Sequence, residues 1–175
     1  MHQYLYAMKL TEEDILFEDN HLIVVNKKPG QIVQADKTGD LPLSELVKEF
    51  LKIKYAKPGN VFCGVVHRID RPVSGVVVFA KTSKALSRMN ELFRERATQK
   101  IYWAVVRGIP EMKEKELHHS LVKNERLNKS FVTHPGTPGA LECRLSYKLL
   151  KSADRYSLLE VLPLTGRHHQ IRVQL

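Results

Sequence analysis

The chain has 175 residues, 43% of them hydrophobic, with 28 Lys and Arg against 19 Asp and Glu for a formal charge of +9. That length buries a core without staples and suits one domain, and Cys63 and Cys143, far apart in apolar runs with no zinc-ligand spacing, read as reduced core residues. No apolar run approaches a bilayer span and Met1-His2-Gln3-Tyr4 is no secretory leader, so a cytoplasmic protein is expected, whose positive balance attracts polyanions and nucleic acid first among them.

Residues 15–17 and 22–25 are expected as short strands about the Glu18-Asp19-Asn20 turn, and Lys27-Lys28-Pro29-Gly30 breaks the pattern. Leu43, Leu46, Val47, Phe50 and Leu51 recur at helical spacing, with Asp40 as cap and Pro42 in the first turn. Residues 61–66 and 76–80 are β-branched runs, continuous enough for strands buried on both faces.

Between those runs lies His67-Arg68-Ile69-Asp70-Arg71-Pro72-Val73-Ser74-Gly75, which sets a lone carboxylate among three cations. A general acid/base pair of the glycosidase kind needs a second carboxyl group. One carboxylate beside guanidinium groups is instead poised as a nucleophile or base, although the plainest reading of the same residues is a loop ion pair.

Ser83 is expected to cap a second helix, with Leu86, Met89, Leu92 and Phe93 in the core and Lys84, Arg88, Arg94 and Arg96 toward solvent. Ile101, Trp103 and Val105 alternate with Tyr102, Ala104 and Val106 in a strand ending at Gly108-Ile109-Pro110. From 111 to 139 the chain is polar and turn-rich, with a weak strand at 117–122, and a mobile excursion is expected. Leu141, Cys143, Leu145, Tyr147 and Leu149 describe an antiparallel strand with one wet face, answered by residues 156–162 across a short turn.

After Thr165-Gly166-Arg167 a new helix is expected, with Ile171 and Leu175 toward the core. The sequence stops there without a Gly or Asn cap, polar tail or Pro, which predicts a C-terminally truncated chain. With no repeat and no heptad run, the class is α+β: a single mixed, mainly antiparallel sheet with flanking helices, preceded by an N-terminal extension over 1–14. The pairs His118-His119 and His168-His169 suggest a metal-dependent hydrolase, but strand neighbours face opposite ways and helix neighbours diverge by about 100°. No His-Glu-x-x-His run is present, so no metal is expected.

Three segments in this order, HRIDRPVSG, KIYWAVVRG and TGRHHQIRVQL, with LIVVNKKPG before them, resemble the pseudouridine synthases of the RluA type from about Ile15 to the last residue. Val73 stands where that family frequently has threonine, and His168 where a small polar residue is usual. The resemblance implies a pseudouridine synthase catalytic fold over 15–175, in a family whose members continue past the last motif with further strands. It implies isomerisation of uridine in rRNA or tRNA, without cofactor or metal: the glycosidic bond from N1 breaks, the base rotates, and C5 is joined to the ribose.

By the same resemblance Asp70 is the catalytic carboxylate, acting on the uracil ring, on the ribose or on a ribose proton. Tyr102 is the tyrosine that stacks on the flipped uracil and is a candidate for removing the C5 proton, though a strand tyrosine beside Trp103 is most often packing. Arg167 pairs with the aspartate through a charge-assisted fork. Arg68 enters the space that the extruded base leaves, with His67, Arg71 and Arg172 completing the RNA-binding set. The competing reading is a non-catalytic RNA-binding module of the same fold, and under either reading a monomer is expected.

Overall fold

A computed structural model describes residues 9–175, which form two compact units divided between Glu95 and Arg96. The first unit contains a 3-10 turn (Glu12–Asp14), β1 (Ile15–Glu18), β2 (Leu22–Lys27), α1 (Leu43–Lys54), β3 (Gly64–Val65), β4 (Gly75–Ala80) and α2 (Ser83–Arg94). Its sheet has the order β1-β2-β4-β3, antiparallel throughout. Part of the expected N-terminal extension, residues 1–8, lies outside the described residues; Leu10, within it, packs against the core of this unit.

Alternation builds that core. Ile23 and Val25 of β2 and Val77 and Phe79 of β4 point to one face, where they meet Leu43, Leu46, Val47 and Leu51 of α1. Each fully buried side chain of this kind contributes about 1.5–3 kcal/mol. The helical spacing expected around Leu43 is thus observed, but its cap is different. Pro42 holds the N-cap position without a side-chain bond, and the first amides donate to Ile32 O at 2.8 Å and Val33 O at 3.1 Å. Asp40, expected there, is drawn instead to Arg71.

Four further expectations need correction in this unit. The strand foreseen over 61–66 shortens to Gly64–Val65, and β4 is not buried on both faces, since Val76 is 55% exposed. Helix α2 begins one residue earlier in its capping than expected: Thr82 Oγ1, not Ser83, accepts from Ala85 N at 3.1 Å. Its stripe is shallow, with Ala85 buried, Leu86, Met89 and Phe93 half-buried, and Leu92 exposed. Close approach to β3 depends on Gly64, where a Cβ would meet Leu86 Cδ2 at 2.8 Å.

The second unit contains β5 (Tyr102–Arg107), β6 (Glu114–Asn124), β7 (Lys129–Thr133), β8 (Leu141–Ser152), β9 (Tyr156–Pro163) and α3 (Gln170–Gln174). Its antiparallel sheet runs β5-β9-β8-β6-β7, so the single sheet expected from sequence is two. Leu145, Tyr147, Leu159 and Val161 form its core, joined by Tyr102, Ala104 and Val106 from the inward face of β5. The segment expected as a loose excursion is a β-hairpin, in which β6 pairs with β8 from Glu114 to Leu121 and with β7 from Ser120 to Asn124.

Both cysteines are free; Cys143 is buried, and burial pushes the half-buried Cys63 thiol up to about 12. No helix among the described residues is long and apolar enough to cross a membrane.

Candidate active site

The loop that carries Asp70 leaves the short β3 and returns as β4, and its shape is fixed mainly by main-chain acceptors. Val73 N donates to the main-chain Asp70 O at 3.0 Å, closing a turn that begins at Asp70, and Gly30 N donates to Arg71 O at 2.8 Å. Lys27 Nζ reaches into the same loop and donates to Arg71 O at 3.1 Å and Val73 O at 2.5 Å. Val73 thus serves through its backbone, so the loop does not depend on a hydroxyl at that position. Ile69 packs toward the core of the first unit and leaves Asp70 half-buried beside it.

The other expected residues of this loop are placed differently from one another. Arg68 is exposed and forms no ion pair among the described residues. Arg71 is engaged with Asp40, Nη1 to Oδ2 at 2.6 Å, with both side chains about half exposed. His67 turns inward: its Nε2 accepts from Val78 N at 3.1 Å, and its ring stacks on Phe93 at 5.1 Å between centroids. In that tautomer the ring proton sits on Nδ1, and the imidazole ties the loop to β4 and α2.

In the second unit Tyr102 opens β5 opposite Val161 and rests half-buried against the core there. Trp103, its neighbour, points the other way and is 72% exposed, so it is Tyr102 and not Trp103 that packs. Arg167 lies exposed in the turn after β9, its Nε donating to Glu142 O at 3.4 Å. Its positive charge opposes the upward push that burial exerts on the Cys143 thiol.

The Arg167 turn is held by a glutamine that sequence reading leaves aside. Gln170 Oε1 accepts from Arg167 N at 3.0 Å and from Thr165 Oγ1 at 2.7 Å, while Nε2 donates to Arg144 O at 3.0 Å. Gln174 acts similarly, donating to Leu117 O and Cys143 O and contacting His119 Nδ1. Helix α3 therefore turns its glutamines inward, buried at 4% and 8% exposure, while Leu175 is 37% exposed; Ile171 packs as expected and Leu175 does not. Both glutamine side chains meet main-chain carbonyls of β6 and β8, which a leucine side chain cannot do.

His168 and His169 do not diverge as helix neighbours would. His169 precedes α3 at φ 54°, and the two rings stack 3.7 Å apart. Ser130 Oγ donates to His168 O at 2.7 Å and lies 3.0 Å from His168 Nδ1, which secures the turn from the hairpin side. His118 and His119 do face opposite ways, the one on Glu116 at 2.7 Å and the other on Gln174. Arg172, on α3, lines an open depression with Lys129 and His169. Lys100 Nζ lies 3.7 Å from where a Gly166 Cβ would stand, and its pKa is lowered by burial and by Arg96. Among the described residues no three His, Cys, Asp or Glu side chains gather as a metal-ligand set.

Two local arrangements result. The first unit offers a half-buried carboxylate on a pinned loop with an exposed guanidinium two residues before it; the second offers a phenol on a strand and a guanidinium on a braced turn.

The family model described as RNA pseudouridylate synthase matches residues 21–175. The ribosomal large subunit pseudouridine synthase C of Escherichia coli is 38% identical over 178 residues, covering 97% of this chain and 51% of that protein. The protein of that name from Vibrio parahaemolyticus is 33% identical over 162 residues, covering 93% and 48%. The chain thus spans about half the length of the curated relatives it matches. Among solved structures, human RNA pseudouridylate synthase domain containing 4 superposes with a TM-score of 0.79 at 26% identity, over 92% of this chain and 62% of that one. Human RNA pseudouridylate synthase domain containing 1, at 24% identity and a TM-score of 0.71, shares the fold.

Proposed function

The chain belongs to the RNA pseudouridylate synthase family, and from that premise we propose that residues 15–175 carry a catalytic unit that isomerises uridine to pseudouridine in RNA. The relatives are named for the large ribosomal subunit, which makes rRNA the favoured substrate and tRNA the one to compare with it. In this reaction the N1–C1′ bond breaks, a C5–C1′ bond forms, C5 gives up its proton and N1 takes one up. The atoms balance without an oxidant, reductant or cofactor.

The observation that carries the reading is the Asp70 loop: a half-buried carboxylate on a loop whose main chain is pinned by hydrogen bonds, with Arg68 exposed beside it. A uridine in a paired helix presents neither C1′ nor C5 to such a group until it is extruded, and an exposed guanidinium is suited to occupy the gap, since it stacks and donates. Asp70 then begins the reaction by attack on the ring or the ribose or by taking a ribose proton. Tyr102 supplies a π face and a hydroxyl for the base, and Arg167 a fork for the aspartate. Arg71, His67 and Arg172 support the RNA and the loop.

Release of tritium from RNA labelled at uridine C5 tests this. Asp70→Asn is expected to lower release by roughly 1,000-fold or more, the scale of a lost base or nucleophile, while RNA is still retained on a filter. Equal, nonzero release by wild type and variant removes Asp70 from the mechanism. RNA retention by a wild type that releases nothing from rRNA or tRNA favours the binding-module reading instead.

A further inference from the structure

Ser130 lies on β7, which closes the strand order of the second unit's sheet, and stands opposite Lys123 of β6. Within β7 it alone is buried, at 7% exposure, while Phe131 and Val132 beside it are 45% and 53% exposed. Hydrophobicity would sort these residues the other way, so the serine is not buried for its apolar surface. Its hydroxyl makes two bonds to one residue: Oγ donates its single proton to His168 O at 2.7 Å and lies 3.0 Å from His168 Nδ1. With that proton committed, Nδ1 is the donor in the second bond, and the His168 ring carries its proton there.

His168 follows Arg167 directly, and its carbonyl belongs to the peptide plane whose rotation sets φ of His169. That φ is 54°, a left-handed conformation that a non-glycine residue adopts at a cost and keeps only where its surroundings impose it. We propose that Ser130 is a positioning residue for Arg167: by holding both the ring and the carbonyl of His168 it imposes the turn through His169 into α3, and so fixes the backbone from which the guanidinium projects. The inference rests on the catalytic reading of Arg167 given above. Gln170 braces the same turn from another side, its Oε1 accepting from Arg167 N at 3.0 Å and its Nε2 tying the turn to β8 through Arg144 O. Ser130 ties it instead to β7, 38 positions away in sequence. One anchor leaves the turn free to rotate about the point of attachment, whereas two on separate strands do not. The stacked rings of His168 and His169, 3.7 Å apart, depend on the same peptide orientation.

The test uses the full chain with Ser130→Ala, which removes the hydroxyl, and Ser130→Thr, which keeps it on a β-branched residue suited to a strand. The readouts are the single-turnover rate of tritium release at saturating RNA, the Kd for RNA, the ring-nitrogen NMR signature of His168 at a pH where imidazole is neutral, and amide hydrogen exchange at Arg167 and Gln170, whose N–H groups bond within the turn. Ser130→Ala is expected to slow the saturated rate about 10-fold or more per folded molecule with Kd changed less than about 3-fold, the split of a residue that acts on the reacting geometry and not on capture. The His168 proton should lose its bias toward Nδ1, and exchange at the two amides should quicken about 10-fold relative to amides of β8 as the turn opens more readily. Ser130→Thr should recover part of each loss. Wild-type rate at saturation in Ser130→Ala, or a loss confined to Kd, overturns the proposal and leaves the proposed activity standing. If wild type itself releases no tritium, the catalytic reading has failed, and the other two readouts still decide whether Ser130 fixes the turn: unchanged protection, or a ring proton that stays on Nδ1 in the alanine variant, overturns it. Should Ser130→Ala not fold, Ser130→Cys, whose thiol donates and accepts only weakly, is held to the same criteria.

Discussion

Glu18, at the end of β1, gathers Lys81 Nζ, Lys54 Nζ at 3.1 Å and Tyr55 OH at 2.7 Å around a side chain only 9% exposed. Burial alone would raise its carboxyl pKa, but the bonds from Lys81, Tyr55 and Lys54 outweigh that and hold it below the ordinary glutamate value. A folded pKa below the unfolded one gives stability that is present above the unfolded value and lost as pH falls through the folded one. Glu18→Gln, which strips one partner from a largely buried pair, is therefore expected to cost about 3 kcal/mol at neutral pH, seen as a lower Tm. Thermal melts from neutral to acid pH should show the gap to wild type narrowing below about 4.5; a gap that holds its size in acid refutes the assignment. Single residues also show where the sequence is mute. The Asp70 loop stands out because Arg, Asp, Pro and Gly crowd between two apolar runs, whereas Lys27 reads as an ordinary solvated lysine. Its burial depends on carbonyls 44 and 46 positions away, which no local window contains. Gln170 and Gln174 escape for the same reason, because their partners are the strand carbonyls of β6 and β8.

Thr82 and Ser83 compete for one role at the start of α2, and the backbone decides between them. Thr82 is extended at φ −139° and its hydroxyl accepts from Ala85 N, while Ser83 already lies inside the helix and is exposed. Thr82→Ala is expected to cost about 1 kcal/mol in denaturant unfolding and Ser83→Ala almost nothing. The reverse order would return the cap to Ser83. Elements with a clean period are legible in this chain: α1 by its helical stripe, β5, β8 and β9 by alternation. The β6–β7 hairpin is not, because Glu114, Lys115 and Glu116 are all exposed and alternation starts only near Leu117. What makes β6 a strand is the ladder to β8, a non-local gain that overrides weak local preference. The run at 61–66 fails in the opposite sense: it has the composition of a strand, yet only Gly64 and Val65 find partners, on β4.

At the scale of the whole molecule, alternation tells which residues face inward but not which strands share a sheet, so two antiparallel sheets in two units read as one from sequence. Charge, by contrast, is a property the sequence states outright, and +9 on 175 residues bears directly on capture of RNA. Each phosphate neutralised releases counterions, so log K falls with log salt by about 0.7 per contact on single strands. If about four phosphates are met, raising salt from about 50 to 200 mM weakens binding roughly 50-fold. Chemistry on RNA already bound involves groups held inside the site, and its single-turnover rate should change less than about 3-fold over that range. Filter binding across a salt series, run in parallel with single-turnover tritium release, measures both slopes. Asp70→Asn should follow the wild-type binding slope, because the capture step draws on the exposed cations and not on that carboxylate. A flat binding curve in wild type would mean that the positive surface does not touch phosphate, and would overturn electrostatic capture even if the isomerisation itself proceeds.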